Sequence, residues 1–211
     1  MSGHPSDKLP QARRTEVFAA ARVEFVAHGY RQASLNRIIA ALGMSKSSFY
    51  HYFSNKADLF ECVLEEAMRP LLSARDGLVL KNLTQDTYWP AILGLGAELN
   101  ELVSDRADLV DVGRMFYRAL QDPRDSDLTA RFIDDLTSWV GALIERGQDL
   151  GQVRGDLPQS YLVDLIISMG MSTDRWMLAH WDDMPDAERR RMSERILQMF
   201  VGLLSPLEAG R

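Results

Sequence analysis

Cysteine is almost absent: Cys62 stands alone in 211 residues, so no intramolecular disulfide can form, and a reducing compartment with buried packing is its expected setting. The four histidines, His4, His28, His51 and His180, are scattered, with no His-x-x-x-His or cysteine-rich spacing. Neither a metal site nor a cofactor is therefore expected. There is no glycine-rich phosphate loop, and Cys62 has no histidine beside it in sequence. The paired acids Asp134-Asp135 and Asp182-Asp183 read as solvated helix faces or turns, so nothing calls for an enzyme. Long apolar runs are also missing, since the most apolar stretch, 161–171, is broken by Asp164 and is too short to span a bilayer. The opening MSGHPSDKLPQARR lacks an apolar signal core. These absences point to a soluble, cytoplasmic protein with no membrane partner. The β-branched alternation of strands is lacking too, which leaves an all-α fold.

Negative charge is scarce at one end only. Residues 1–60 hold eight Lys/Arg against four Asp/Glu, a balance of +4, whereas the remainder carries −10 of the overall −6. A basic end on an acidic body suits a protein that meets nucleic acid with that end alone. With 46% hydrophobic residues, a sizeable core is available.

The stretch SLNRIIAALGMSKSSFYHYFSNKADL, starting at Ser34, is the most informative. Ser34 is an N-cap for a short helix whose apolar face is Ile38, Ile39 and Leu42, and Gly43 suits the left-handed residue that ends it. After a three-residue turn, Ser45 caps a second short helix that turns Phe49 and Phe53 inward. Helix, tight glycine-containing turn and helix make a helix-turn-helix. The faces left outside carry Lys46, Ser47, Ser48, Tyr50, His51 and Tyr52, with no acid between Arg37 and Asn55. Small donors at the start of such a helix read base edges in a major groove, while Tyr and Lys hold phosphates.

At Ser34, Ile38, Gly43, Ser45, Phe49, Tyr50, Tyr52, Phe53, Lys56 and Leu59 the chain resembles the TetR/AcrR family of transcriptional regulators. It departs at Ile39 and Leu42, where that family commonly has Ala, and at Ser47, where Gly is frequent. The first two bear on packing and the third on which bases are read. The resemblance covers residues 12–60.

Along the chain, residues 1 to about 9 read as loose. Residues 10–28 predict a helix through Val17, Phe18, Ala21, Phe25 and Val26, ended by a Schellman turn at Gly29-Tyr30. This helix would complete a three-helix head. Asn55 caps the next helix, in which Pro70 predicts a kink or a break near Met68. Five further helices are expected, at 88–103, 105–120, 126–150, 159–180 and 187–204, with a loop at 121–127 and the connector GQVRGDLP after the third. The last two are apolar on more than one face and must be covered on two sides, which predicts a symmetric homodimer.

The expected architecture is thus all-α, with about nine helices in total: a helix-turn-helix DNA-binding head, 1–55, and an effector-binding and dimerisation body, 56–211. Ser34, Tyr50, His51 and Lys56 are candidates for phosphates, and Asn36, Lys46, Ser47, Ser48 and Tyr52 for bases or grooves. Trp89, Met115, Phe116, Tyr117, Trp139, Trp176 and His180 are candidate effector contacts. All four Trp lie outside the head, and together with the resemblance they imply a lipophilic or aromatic small molecule. Ile167, Met171, Ile196, Phe200 and Leu203 are the candidate dimer interface. The expected partners are a palindromic double-stranded operator, a small-molecule effector and a second copy of the chain, in a ligand-released repressor. Two other readings remain beside it: an all-α carrier or enzyme with a structural head, marked by ligand binding or turnover without DNA retention, and a DNA-binding regulator controlled by a protein partner.

Overall fold

The computed structural model describes residues 5–122 and 127–207. Among these are nine α-helices and no strand: α1 Gln11–Gln32, α2 Leu35–Ala41, α3 Lys46–Tyr52, α4 Lys56–Gly77, α5 Tyr88–Asp105, α6 Ala107–Gln121, α7 Asp127–Asp149, α8 Gln159–Ala179 and α9 Asp186–Leu204. Residues 123–126 of the expected loop lie outside the described residues. By its contacts the chain divides into two compact units, Met1–Arg69 with Asp108–Ala130, and Pro70–Ala107 with Arg131–Arg211. These are units of packing.

The first unit is built on α1–α4 and α6. Val17, Ala21, Phe25, Ile38, Phe49, Phe53, Leu59, Phe60 and Leu64 are among its fully buried apolar side chains. The rings meet edge-on, Phe25 with Phe60 at 5.0 Å between centroids and Phe18 with Phe53 at 6.2 Å, the geometry aromatic quadrupoles favour. α6 joins this unit through Leu109, Val112 and Met115, all buried, and through two polar ties to α1. Asp108 accepts from Arg22 at 2.9 Å, and Arg118 donates to the Val26 carbonyl at 3.1 Å.

Two local expectations are revised here, and of the kink or break expected at Pro70 the break does not occur. Residues 5–8 are not loose: Pro5–Lys8 forms a 3₁₀ turn near α3, and Ser6 and Leu9 are buried. At Gly29 no Schellman turn forms. The residue adopts φ 66°, ψ 168°, a region open essentially to glycine, after which the helix resumes as far as Gln32. Pro70 does not break α4, which runs on to Gly77, although the boundary between the two units falls at Arg69 and Pro70. Proline leaves the Glu66 carbonyl without its helical donor, so this is where α4 has a weakened ladder.

In the second unit Tyr88, Val140, Leu143, Ile144, Val153, Leu162, Val163 and Leu204 form the core. The Tyr88 hydroxyl donates to the Leu143 carbonyl at 3.0 Å, and burial pushes its pKa upward, so it stays a neutral donor. The connector after α7 is tied down: the Arg154 N–H donates to the Leu204 carbonyl at 2.8 Å, and its guanidinium pairs with Asp156 at 2.7 and 2.8 Å. Gly147 is required by close approach. A Cβ there would lie 2.3 Å from Val153 Cγ2 and 2.4 Å from the Tyr88 oxygen. Gly147→Ala is accordingly expected to destabilise the protein by about 1–3 kcal/mol through overpacking, read as a lowered midpoint in denaturant. An unchanged midpoint would mean that Tyr88 is not fixed by its bond to Leu143.

Candidate nucleic-acid interface

The helix-turn-helix is set up by local chemistry. The Arg37 N–H reaches the Ser34 hydroxyl at 3.4 Å, a long cap, while the Ser48 N–H reaches the Ser45 hydroxyl at 3.1 Å. Gly43, at φ 59°, turns the chain between α2 and α3. The C-terminal end of α2 is held by Arg13, which donates to the Leu42 carbonyl at 2.8 Å. α3 is fixed underneath by Phe49 and Phe53, both without solvent exposure, whose rings lie 5.2 Å apart.

What α3 presents outward follows from that anchoring. Lys46, Ser47, Ser48, Tyr50 and His51 are exposed, and Tyr52 is half-buried with its ring against that of His51 at 4.9 Å. The Tyr50 ring stands on Phe49, 5.6 Å away and nearly perpendicular, which orients its hydroxyl outward. Asn36 is exposed on α2, and Ser34 is half-buried at its cap. No carboxylate belongs to the sequence from Ile38 to Ser54. The nearest acid beyond it, Asp58, accepts from the Ser54 N–H at 2.6 Å, and the Asn55 side chain caps α4 by accepting from the Asp58 N–H at 3.0 Å. A surface of hydroxyls, one ammonium and one imidazole without carboxylates attracts a polyanion and offers donors to it.

Lys56 is placed differently from the rest. Its ammonium donates to the carbonyls of Arg31 at 3.0 Å and Ala33 at 3.1 Å and sits 4.8 Å above the Tyr30 ring. Sequence reasoning also passed over Glu24, a nearly buried carboxylate on α1 that accepts from the Ser34 N–H at 2.8 Å and from the Arg37 guanidinium. The Arg37 hydrogen bonds hold its pKa below the usual carboxylate range. It is therefore ionised at neutral pH, and the stability this contributes is lost only as pH falls through that lowered value. The signal for it was an acid, four residues before His28, on the buried face of an otherwise apolar stripe.

The other candidate sets are distributed over both units. Met115, Phe116 and Tyr117 belong to the first, the former two buried; Trp89, Trp139, Trp176 and His180 belong to the second. Trp89 and Trp139 are half-buried against the core, but Trp176 is 44% exposed and stacks on His180 at 4.2 Å. Of the candidate interface residues, Ile167, Met171, Ile196, Phe200 and Leu203 are half-buried within their own chain, with Ile167 packed on the core. The large apolar side chains most open on α8 and α9 are Tyr161, Trp176 and Met199, at 53%, 44% and 57%. Burial pushes the Cys62 thiol up to about 12, so it stays protonated.

The fold and this surface are those of a helix-turn-helix module that offers donors to a polyanion. Residues 17–63 match the model of the bacterial regulatory proteins of the tetR family. Similar proteins include the HTH-type transcriptional repressor SCO4008 of Streptomyces coelicolor, 40% identical over 29% of this chain and 32% of that one. The HTH-type transcriptional repressor AcnR of Corynebacterium glutamicum is 28% identical over 75% of this chain and 77% of its own. Thus the chain spans about a third of the Streptomyces relative and about three quarters of the Corynebacterium one. Among solved structures, the fold is similar to that of the transcriptional regulator FadR from Bacillus subtilis in complex with stearoyl-CoA, with a TM-score of 0.72 at 15% identity, covering 90% of this chain and 98% of that one. The sequence match to the tetR family is thus carried by residues 17–63, the helix-turn-helix end of the chain.

Proposed function

We propose that the protein is a transcriptional repressor that binds a palindromic operator as a homodimer and releases it when a lipophilic or aromatic small molecule enters the body. The observation that carries this reading is the acid-free outer face of α3, held on Phe49 and Phe53. Residues 1–55 form the DNA-binding head and 56–211 the effector and dimerisation body. Ser34, Tyr50 and His51 meet phosphates, and Asn36, Lys46, Ser47, Ser48 and Tyr52 meet bases or groove walls. The naming of SCO4008 and AcnR as repressors supports repression, and the stearoyl-CoA bound to FadR supports a lipophilic effector. Among the described residues no helix is long and apolar enough to cross a membrane.

The second copy is called for by the exposed side chains of α8 and α9. Tyr161 and Trp176 stand about 60° apart on a helical wheel and so share one side of α8. A two-fold partner covers such a side with its own equivalent. Selecting bound fragments from the source organism's genomic DNA tests the function: an inverted repeat should be enriched, whereas fragments with no shared sequence would contradict it.

Induction has a quantitative requirement. An effector releases DNA only if it prefers the DNA-incompetent state, and a coupling of about 1–3 kcal/mol changes operator affinity roughly 5- to 150-fold. By linkage, operator must weaken effector binding by the same factor. All four Trp lie outside the head, so titration by tryptophan fluorescence with and without operator reads this directly. Equal effector affinities would remove the induction mechanism and leave DNA binding in place.

A further inference from the structure

The connection between α1 and α2 is held by two side chains of opposite charge from two different helices. The Ala33 carbonyl accepts from Lys56 at 3.1 Å, and the Ser34 N–H donates to Glu24 at 2.8 Å. These are the two polar ends of one peptide group, the one that leads into α2. The Arg31 carbonyl adds a second bond to the same ammonium at 3.0 Å, and the Tyr30 ring lies under it. Carbonyls at the end of a helix have no following turn to satisfy them, and here the ammonium takes that place. On the other side Glu24 also accepts from Arg37 Nε at 2.8 Å, and Arg37 Nη2 donates to the Gln32 carbonyl at 2.9 Å. Lys56 is the first residue of α4, Glu24 belongs to α1, and Ser34 is the N-cap of α2. The Ala33–Ser34 peptide is therefore the point at which three helices are tied together.

We infer that Lys56 and Glu24 are positioning residues for DNA binding, which grip the Ala33–Ser34 peptide and so fix how Ser34 and Asn36 are presented, and that Lys56 acts there and not on a phosphate. This rests on the DNA binding proposed above. A peptide held at both ends cannot rotate, and rotation of this one swings the cap and the first turn of α2. Charge-assisted bonds suit the task, because each is roughly twice as strong as a neutral one. The arrangement also makes the start of α4 part of the DNA-reading geometry without its touching DNA.

The test is made with the full-length protein and a DNA fragment recovered with the wild type, by fluorescence anisotropy over a series of KCl concentrations. Lys56→Met keeps the stem of the side chain and removes its donors. Its Kd is expected to rise about tenfold, the size of one charged hydrogen bond, in protein whose circular dichroism is unchanged at the assay temperature. The slope of log K against log salt should equal that of the wild type, because no phosphate contact is lost. Lys56→Arg retains donors for both carbonyls and should recover most of the affinity. A slope that falls by about one would make Lys56 a phosphate contact and overturn the inference, as would an unchanged Kd. If Lys56→Met does not fold, Glu24→Gln decides from the other side: weaker binding at unchanged slope supports the grip, and unchanged binding refutes it. A wild type that binds no DNA would fail the function itself, an outcome distinct from these.

Discussion

Replacing Ser48 by glutamate is expected to abolish specific DNA binding while leaving the fold at least as stable as before. Ser48 is exposed at the third position of α3, and its N–H is already capped by Ser45. Glutamate at that position completes the reciprocal capping box with Ser45, so the helix should gain slightly or stay within about 0.5 kcal/mol. The same carboxylate enters a surface that has none and faces the polyanion. Like charges brought together across an interface cost several kcal/mol, which corresponds to a loss of about a thousandfold in affinity. Thermal melting and anisotropy titration on one preparation separate the two effects. Retained affinity would turn α3 away from DNA and remove the face on which the function rests.

Met199→Asp is expected to separate the subunits. Met199 is 57% exposed on α9, so within one chain the change is a surface substitution costing less than about 0.5 kcal/mol. In a covered interface the same carboxylate is desolvated without a partner, which costs about 3–5 kcal/mol. Two heads on one palindrome gain from being linked, and a monomer forfeits a factor of roughly 10²–10⁴ in operator affinity. Sedimentation equilibrium should show the monomer, and anisotropy the matching loss. An intact dimer with full operator affinity would exclude this face of α9 from the interface. Ile167 and Phe200 are poorer sites for this experiment. Ile167 packs on its own core and Phe200 lies against α8 near Gly170, so a charge at either mixes unfolding with dissociation.

Features that depend on near neighbours were legible in the sequence. Ser34, Ser45 and Asn55 cap the helices that follow them, Gly43 makes the turn, and Phe49 and Phe53 point inward, because each outcome is decided within four residues. Features decided across the chain were not. Lys56 reaches carbonyls 23 and 25 residues away, which no helical period announces. Residues 5–8 look polar and short of apolar anchors, yet Ser6 and Leu9 are buried by tertiary contact. That α6 packs in the same unit as residues 1–69 is likewise a long-range result, and it puts Phe116 and Tyr117 in a different unit from Trp139 and Trp176. For α8 and α9, hydrophobicity on every face marked the helices without saying which side faces the chain's own core. The exposures of Tyr161, Trp176 and Met199 supply that direction.

The most direct measurement is a hydroxyl-radical footprint of the wild-type protein on a fragment recovered from its genomic DNA. Two heads related by a two-fold axis should protect two half-sites of an inverted repeat, with centres separated by about one helical turn, ~34–36 Å, or a multiple of it. A single protected half-site, or uniform protection along the fragment, would contradict a dimeric helix-turn-helix reader.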